Sequence, residues 1–342
     1  MKGYVTAPQA HSRKASTKIS AVAPCYNEAA VLVEFHRRVS AACASVTDDY
    51  EIVLVNDGSS DDSWPLLVSL ATADPHVVAI NLSRNHGQQL ALTAGLAYCR
   101  GERILIVDAD LQDPPELLSE MMVLCDSGAD IVYGKRRSRA GESIFKRLTA
   151  FLFYRLLNLF TDQHIPEDTG DFRLISRRVL DVLNSMPENH RFIRGMISWV
   201  GFKQVPLPYD RSPRFAGETK YQLRKMLHFA LDAITSFSVR PLRLAFYAGG
   251  ILCAGSILLL GYSIGAYFVD RTIRGWTSIM AVMLFFLAAQ FLVLGLIGEY
   301  VGRLYMETKH RPLFIVEQIV VGGPPAARTA APDSGIQVGH ER

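Results

Sequence analysis

ERILIVDADLQDPPE, residues 102–116, places a run of apolar, largely β-branched residues directly before Asp108, Asp110 and Asp113. A short apolar run that ends in turn residues reads as a buried strand. The same phrase recurs on both sides of it. KISAVAPCYNE (18–28) and YEIVLVNDGSSDDS (50–63) each run from apolar residues into turn and carboxylate residues, with a helix-like segment over 29–44 between them. VVAINLSRNHGQQLALTAGLAYCR (77–100) continues as strand, loop and helix, and ADIVYGKRR (129–137) adds a further strand. Alternation of this kind predicts an α/β domain with a mostly parallel sheet. Ligands of such sheets bind beyond the carboxyl ends of the strands, where every polar cluster of this chain falls. The sequence has no GxGxxG after its first strand and no GxxxxGK[ST] anywhere, so the dinucleotide and P-loop forms of the architecture lack their phosphate loops.

The crowded carboxylates then acquire a chemical meaning. Asp108 and Asp110 are two residues apart and leave a strand on the same side. Like charges that close repel unless a cation lies beside them. Oxygen ligands in this number suit Mg²⁺ or Mn²⁺, which use one or two protein carboxylates and complete their shell with water and substrate phosphates. Asp113 and Glu116 read instead as an acidic turn, with Asp113 capping the helix that opens after Pro114 and Pro115.

Composition narrows the class. The chain has 342 residues, longer than one average domain, and 49% of them are hydrophobic. A formal net charge of +3 is too weak to imply nucleic acid as a partner. The five cysteines, Cys25, Cys43, Cys99, Cys125 and Cys253, include no CxxC pair, which supports neither a zinc site nor a disulfide framework and fits a reducing compartment. Residues 1–18 carry Lys2, Arg13, Lys14 and Lys18 without an apolar core, a disordered basic lead rather than a signal peptide.

The apolarity collects late in the chain. Residues 244–269 and 277–298 contain no charged side chain, and each is long enough for a hydrocarbon core that needs about 20 residues. They read as a two-helix transmembrane hairpin, because core helices of soluble proteins rarely stay charge-free for this long. Arg240 and Arg243 precede the hairpin and Arg303, Lys309 and Arg311 follow it, against Asp270, Arg271 and Arg274 in the loop. The positive-inside rule therefore puts both termini and the first domain in the cytoplasm. The expected layout is a catalytic domain over 19–220, juxtamembrane interfacial helices over 221–243, the hairpin over 244–298 and a tail over 299–342, disordered beyond Val321.

Several separate motifs, APCYNEAAVL, VNDGSSDDS, SRNHGQQLALTAGL, DADLQDPPE, GDFRLISRRV and RFAGETKY, stand in the order and approximate spacing of family 2 glycosyltransferases with the GT-A fold. With the paired spans the chain most resembles the polyprenyl-phosphate glycosyltransferases, and GDFRLISR with ISWVGF leans toward the bactoprenol glucosyltransferases. The resemblance implies a bacterial inner-membrane enzyme. Its sugar would leave a nucleotide sugar with inversion and join a polyprenyl phosphate lipid, undecaprenyl phosphate, at the cytoplasmic face. UDP-glucose is the implied donor, although spacing alone does not separate glucose from N-acetylglucosamine, galacturonate, formyl-aminoarabinose or mannose. Self-assembly as a homo-oligomer is common among such proteins. A processive polysaccharide synthase is disfavoured by the missing QxxRW-type motif and the short anchor. A silent membrane scaffold is disfavoured by intact Asp108, Asp110 and Asp171.

Carried over residue by residue, the resemblance places the base and ribose of the donor at Pro24, Tyr26, Asn27 and Glu28, with Asp57 as the uracil-side carboxylate. Arg84, Asn85 and Gly87 lie on the loop that approaches the nucleotide, where His86 reads as an ordinary loop histidine. Asp108 matches the ribose or metal residue, Asp110 the direct metal ligand, Gln112 a wall of the sugar pocket and Asp171 the position of the base. Of the cations in GKRRSRAGE and RSPRFAGETKY, Arg136, Arg214 and Lys220 are the candidates to hold two groups of phosphates against their mutual repulsion. The family's serine before the KY of the last motif is Thr219 here, which keeps the hydroxyl. Residues 142–162 and 221–237 each carry an apolar helical stripe beside basic residues, read either as packing helices or as helices in the headgroup layer.

Overall fold

The structure, a computed structural model, describes residues 17–137, 169–189, 191–210, 276–309 and 311–322, with scattered helical positions between 242 and 258. Two compact units divide the chain. One takes Met1–Glu142, Ile165–Lys220 and Arg311–Arg342; the other takes Ser143–His164 and Tyr221–His310.

The first unit is built in the predicted alternation. In chain order come β1 (Thr17–Cys25), α1 (Leu32–Ala44), β2 (Tyr50–Asn56), α2 (Ser63–Ala73), β3 (Val77–Leu82), α3 (Gln88–Tyr98) and β4 (Gly101–Ile106). A single 3₁₀ turn, Pro115–Leu117, leads into α4 (Leu118–Asp126) and β5 (Ile131–Arg136). After β6 (Thr169–Ser176), α5 (Arg177–Ser185) and α6 (Ile193–Val200) comes β7 (Gln204–Tyr209). These strands and one more, β8 (Val316–Val321), form a mixed sheet of eight in the order β7-β5-β6-β4-β1-β2-β3-β8. β1 pairs in parallel with β2 and β4, β2 with β3, and β5 with β7, whereas β6 runs antiparallel between β4 and β5.

Burial follows the sequence pattern. Strand β2 is buried from Glu51 to Asn56, the signature of a strand covered on both faces. Helix α1 buries Leu32, Phe35, Val39, Ala42 and Cys43, a single stripe at helical spacing. Cys25, Cys43, Cys99 and Cys125, the cysteines among the described residues, are buried free thiols. Because β1, β2, β3 and β4 are parallel, their carboxyl ends share one edge of the sheet, and the turns after β1, β2 and β4 gather there.

The sheet departs from the expected layout at its edge. β8 pairs antiparallel with β3, from Val78 opposite Val321 to Leu82 opposite Val316, and Phe314 and Val316 are buried. Residues assigned by sequence to a tail after the spans thus complete the catalytic sheet. Truncating the chain after Lys309 would uncover β3 along its length. The single change Phe314→Ala should cost about 3–5 kcal/mol, as deletion of a buried aromatic does, and appear as a lowered melting temperature of this domain. An unchanged melting temperature would show that the edge strand adds nothing.

In the second unit, α7 (Trp276–Thr308) is one continuous helix of 33 residues. Among the described residues it alone is long and apolar enough to cross a membrane, over Phe285–Thr308 with a mean hydropathy of 1.7. The expected span over 244–269 lies largely outside the described residues, as do the two amphipathic stretches and the cations Arg214 and Lys220.

Candidate active site

The turns after β1 and β2 are stitched into one wall. The backbone N–H of Asn27 donates to Ser59 Oγ at 3.0 Å, and Asn27 Oδ1 accepts from the N–H of Ser60 at 2.8 Å. Asn27 holds a left-handed backbone at φ 55°, a conformation its short polar side chain tolerates. The N–H groups of Glu28 and Ala29 donate to Ser63 Oγ and Asp61 Oδ2. Pro24 is half-buried and Tyr26 exposed on this wall.

Asp57 is buried, and its two oxygens are engaged by the loop that opens α3: Oδ1 accepts from the N–H of His86 at 2.7 Å and Oδ2 from that of Gly87 at 2.9 Å. The carboxylate therefore shapes the Arg84–Gly87 loop. Gly58 permits the close approach, since a Cβ there would lie 2.5 Å from the backbone nitrogen of Asn85, and its φ of 64° favours glycine in any case. Arg84 and Asn85 are exposed.

At the end of β4, Asp108, Asp110 and Gln112 are half-buried while Ala109, Leu111 and Asp113 are buried, so alternate side chains face the site. Leu111 has φ 59°, a strained conformation for a bulky side chain, and strain of this kind concentrates at functional turns. Asp110 Oδ1 accepts from the N–H of Gln112 at 3.1 Å, and Asp108 Oδ1 accepts from Gln88 Nε2 at 2.9 Å. Asp113 does not cap the following helix. It is 1% exposed and accepts from the Tyr209 hydroxyl at 2.5 Å, joining the end of β4 to the end of β7. Burial and the Asp113 carboxylate push the Tyr209 hydroxyl upward, so it remains a donor. Arg136 Nε lies 3.4 Å from the same hydroxyl. Gly170 leaves room for this group, since a Cβ there would meet Arg136 Nη2 at 3.0 Å and Asp113 Oδ2 at 3.6 Å.

Asp171, on β6, is buried among donors. Gln89 Nε2 donates to its Oδ2 at 3.2 Å, and Arg194 Nη2 and Nε approach its Oδ1 at 3.2 and 3.4 Å. Burial alone would raise this carboxyl, but the guanidinium groups of Arg194 and Arg173 outweigh burial and hold it below its ordinary value. Arg173 is itself buried, pushed down to about 10 by desolvation, and donates to the carbonyls of Gly170 and Asp171. Asp108 shifts the other way. Burial and the carboxylates of Asp171, Asp113 and Asp110 push it up to about 8.

That opposition bears on a cation. Among the described residues no group of three or more His, Cys, Asp or Glu side chains is placed to hold a metal ion. Asp108 and Asp110 nevertheless fit a hard divalent ion, as an oxygen-only pair whose crowded negative charge a cation would relieve, with water and substrate oxygens completing the shell. The strand ends and turns thus collect Asp108, Asp110, Gln112, Asp171 and Arg136 at one edge of the sheet, beside the wall that carries Asn27 and Asp57. Sequence reasoning missed Gln88, Gln89, Asp113, Arg194 and Tyr209. Their partners across the site lie from 20 to 104 residues away in sequence, and no local pattern marks them.

The fold is that of a GT-A glycosyltransferase, a mostly parallel mixed sheet with carboxylates at its carboxyl edge. Residues 20–183 match the family model described as glycosyl transferase family 2, and the chain belongs to that family. It is similar to an uncharacterised glycosyltransferase of Bacillus subtilis, 48% identical over 301 residues that cover 87% of this chain and 93% of that protein. It is also similar to the bactoprenol glucosyl transferase of Shigella phage SfV, 38% identical over 306 residues covering 88% and 98%. Among solved structures, the mannosyl-3-phosphoglycerate synthase of Rubrobacter xylanophilus is 20% identical with a TM-score of 0.45, over 67% of this chain and 74% of that one.

Proposed function

We propose that this glycosyltransferase moves glucose from UDP-glucose to a polyprenyl phosphate, undecaprenyl phosphate, at the cytoplasmic face of a bacterial inner membrane, with inversion at the sugar. The observation that carries the reading is the juxtaposition of the Asp108–Asp110 pair with Asp171 and Arg194, supported by 38% identity to a bactoprenol glucosyl transferase over most of the chain.

In this reading the wall at Pro24, Tyr26, Asn27, Glu28 and Asp57, with the Arg84–Gly87 loop, receives the nucleoside. Asp108 and Asp110 would hold Mg²⁺ or Mn²⁺, which when bound supplies charge neutralisation for the departing diphosphate. Gln112 orients the sugar. Arg136, kept protonated by Tyr209 and Asp113 against the cost of burial, faces the negative charge that develops on the leaving group, and Arg214 and Lys220 are proposed to assist. A phosphate monoester has its second pKa near 6 and is largely ionised at neutral pH, so the nucleophile arrives without a proton to lose. Asp171 and Arg194 then orient the acceptor for in-line attack.

The architecture also supports a paired anchor. β8 follows α7 in the chain yet pairs with β3, so the segment between Lys220 and Arg311 starts and ends in one domain. A chain that crosses a bilayer between those points crosses it an even number of times. If Phe285–Thr308 is one crossing, residues 244–269 are the natural second. The test of the whole reading is transfer by detergent-solubilised protein to undecaprenyl phosphate with Mn²⁺ and a panel of nucleotide sugars. Release of UDP and labelled lipid with UDP-glucose, at least tenfold over the other sugars, is expected. Transfer to a sugar hydroxyl in place of the lipid, or none with UDP-glucose, would overturn it.

A further inference from the structure

Gln89 occupies the first turn of α3, and its side-chain amide is committed at both ends. Oε1 accepts from the backbone N–H of Ile193, the first residue of α6, at 2.9 Å, and Nε2 donates to Asp171 Oδ2 at 3.2 Å. A backbone N–H only donates, which fixes the orientation of the amide and turns its NH₂ toward Asp171. Arg194, the second residue of α6, presents donors to the other oxygen of Asp171, and a guanidinium has no acceptor. A proton on either oxygen of Asp171 would therefore face a group that cannot accept it. One residue earlier, Gln88 donates to Asp108 Oδ1. Adjacent helical residues diverge by about 100°, so the two glutamines reach two different carboxylates from a single turn.

We propose that Gln89 is a positioning residue for glycosyl transfer: it locks Asp171 in its acceptor-only form and clips Asp171 and Arg194 to the first turn of α3, so that the acceptor phosphate meets a fixed carboxylate–guanidinium pair instead of a proton acceptor. The proposal rests on the reading of the site as one for a lipid phosphate. The groups that face Asp171 are Gln89 from α3, Arg194 from α6, Arg173 from its own strand and Asp108 from the end of β4. Asp108 feels the charge of Asp171, so Gln89→Met, which adds no charge, is read alongside Gln89→Glu.

Gln89→Glu tests this directly. The substituted side chain keeps an oxygen for the N–H of Ile193 but sets a second carboxylate against Asp171, and two carboxylates at that distance hold one proton between them. Single-turnover transfer to undecaprenyl phosphate should then show a ratio of variant to wild-type rate that falls with rising pH, by about tenfold per unit above the apparent pKa of the shared proton. Wild type, limited by the lipid phosphate, should show no such fall. Gln89→Met keeps the volume without either hydrogen bond. It should lose roughly tenfold to a hundredfold in kcat at every pH, with the KM for UDP-glucose within about threefold of wild type. A Gln89→Met enzyme as fast as wild type, or a Gln89→Glu ratio that is flat with pH while the melting temperature is unchanged, overturns the proposal. If Gln89→Glu does not fold, the Met variant decides alone. Absence of lipid transfer by wild type in the same assay would instead overturn the parent reading.

Discussion

Asp110→Asn is expected to lower kcat about 10³-fold, about 4 kcal/mol of transition-state stabilisation, while leaving the fold intact. The turn survives because an asparagine oxygen still accepts from the N–H of Gln112, as Asp110 Oδ1 does at 3.1 Å. What is lost is one of the two formal charges offered to the ion, since no group of three or more His, Cys, Asp or Glu among the described residues is placed to hold a metal. A divalent ion bound through so few protein groups depends on each of them, and substrate phosphates cannot make up the difference until the donor is already bound. Excess EDTA should reproduce the loss in wild type, and added Mn²⁺ should restore wild type at concentrations that leave the variant silent. Circular dichroism and melting temperature, unchanged in the variant, separate this outcome from misfolding. Full activity of the pure wild-type protein in excess EDTA would sink the metal reading.

The elements that sequence made legible share one property: their signal is local. β1, β2, β3, β4 and β5 are apolar runs that end in turn residues, and each needed only its own neighbours to be recognised. β7 was hidden because QVPLPY carries Pro206 and Pro208, which ordinarily argue against a strand. It survives because it lies at the edge of the sheet and pairs only with β5. β8 was hidden by distance, since 234 residues separate Leu82 from its partner Val316 and the long helix α7 lies between them. The site divides in the same way. Asp108 and Asp110 became candidates because carboxylates at a strand end are a readable pattern and Asp57 through resemblance, whereas Asp113 looked like any acid before a pair of prolines. Only the arrival of Tyr209 from the far edge of the sheet makes Asp113 a buried acceptor. Gln88 and Gln89 are two polar residues at a helix start; Gln88 stays exposed, and Gln89 is told from surface only when β6 and α6 bring Asp171 and Ile193 to it. Family resemblance, not spacing, supplied the candidacy of Asp171, and its environment supplies what resemblance could not: the donors that surround it.

Those donors set the expectation for Asp171→Asn, a loss of about 10²- to 10³-fold in single-turnover transfer that persists at all pH values. An amide presents one acceptor and one donor where the carboxylate presents two acceptors, so either Gln89 Nε2 or Arg194 must face an NH₂ group. Arg194 would also lose the Asp171 charge while still near Arg173 and Arg136, and the acceptor would meet a displaced guanidinium. If the loss is one of geometry, both enzymes should gain rate as pH rises through the second ionisation of the lipid phosphate, near pH 6, and then reach parallel plateaus. A deprotonating role predicts otherwise, because a phosphate already ionised by the medium needs no base and the deficit would vanish above that pH. Stability gives an independent check with a defined sign. The folded-state carboxyl of Asp171 lies below its ordinary value, so its contribution is fully present above about pH 4 and is lost as pH falls through the lowered folded value. The gap in melting temperature between wild type and Asp171→Asn should accordingly be constant near neutrality and narrow in acid. A rate deficit that disappears at alkaline pH would make Asp171 a true base and end the positioning account.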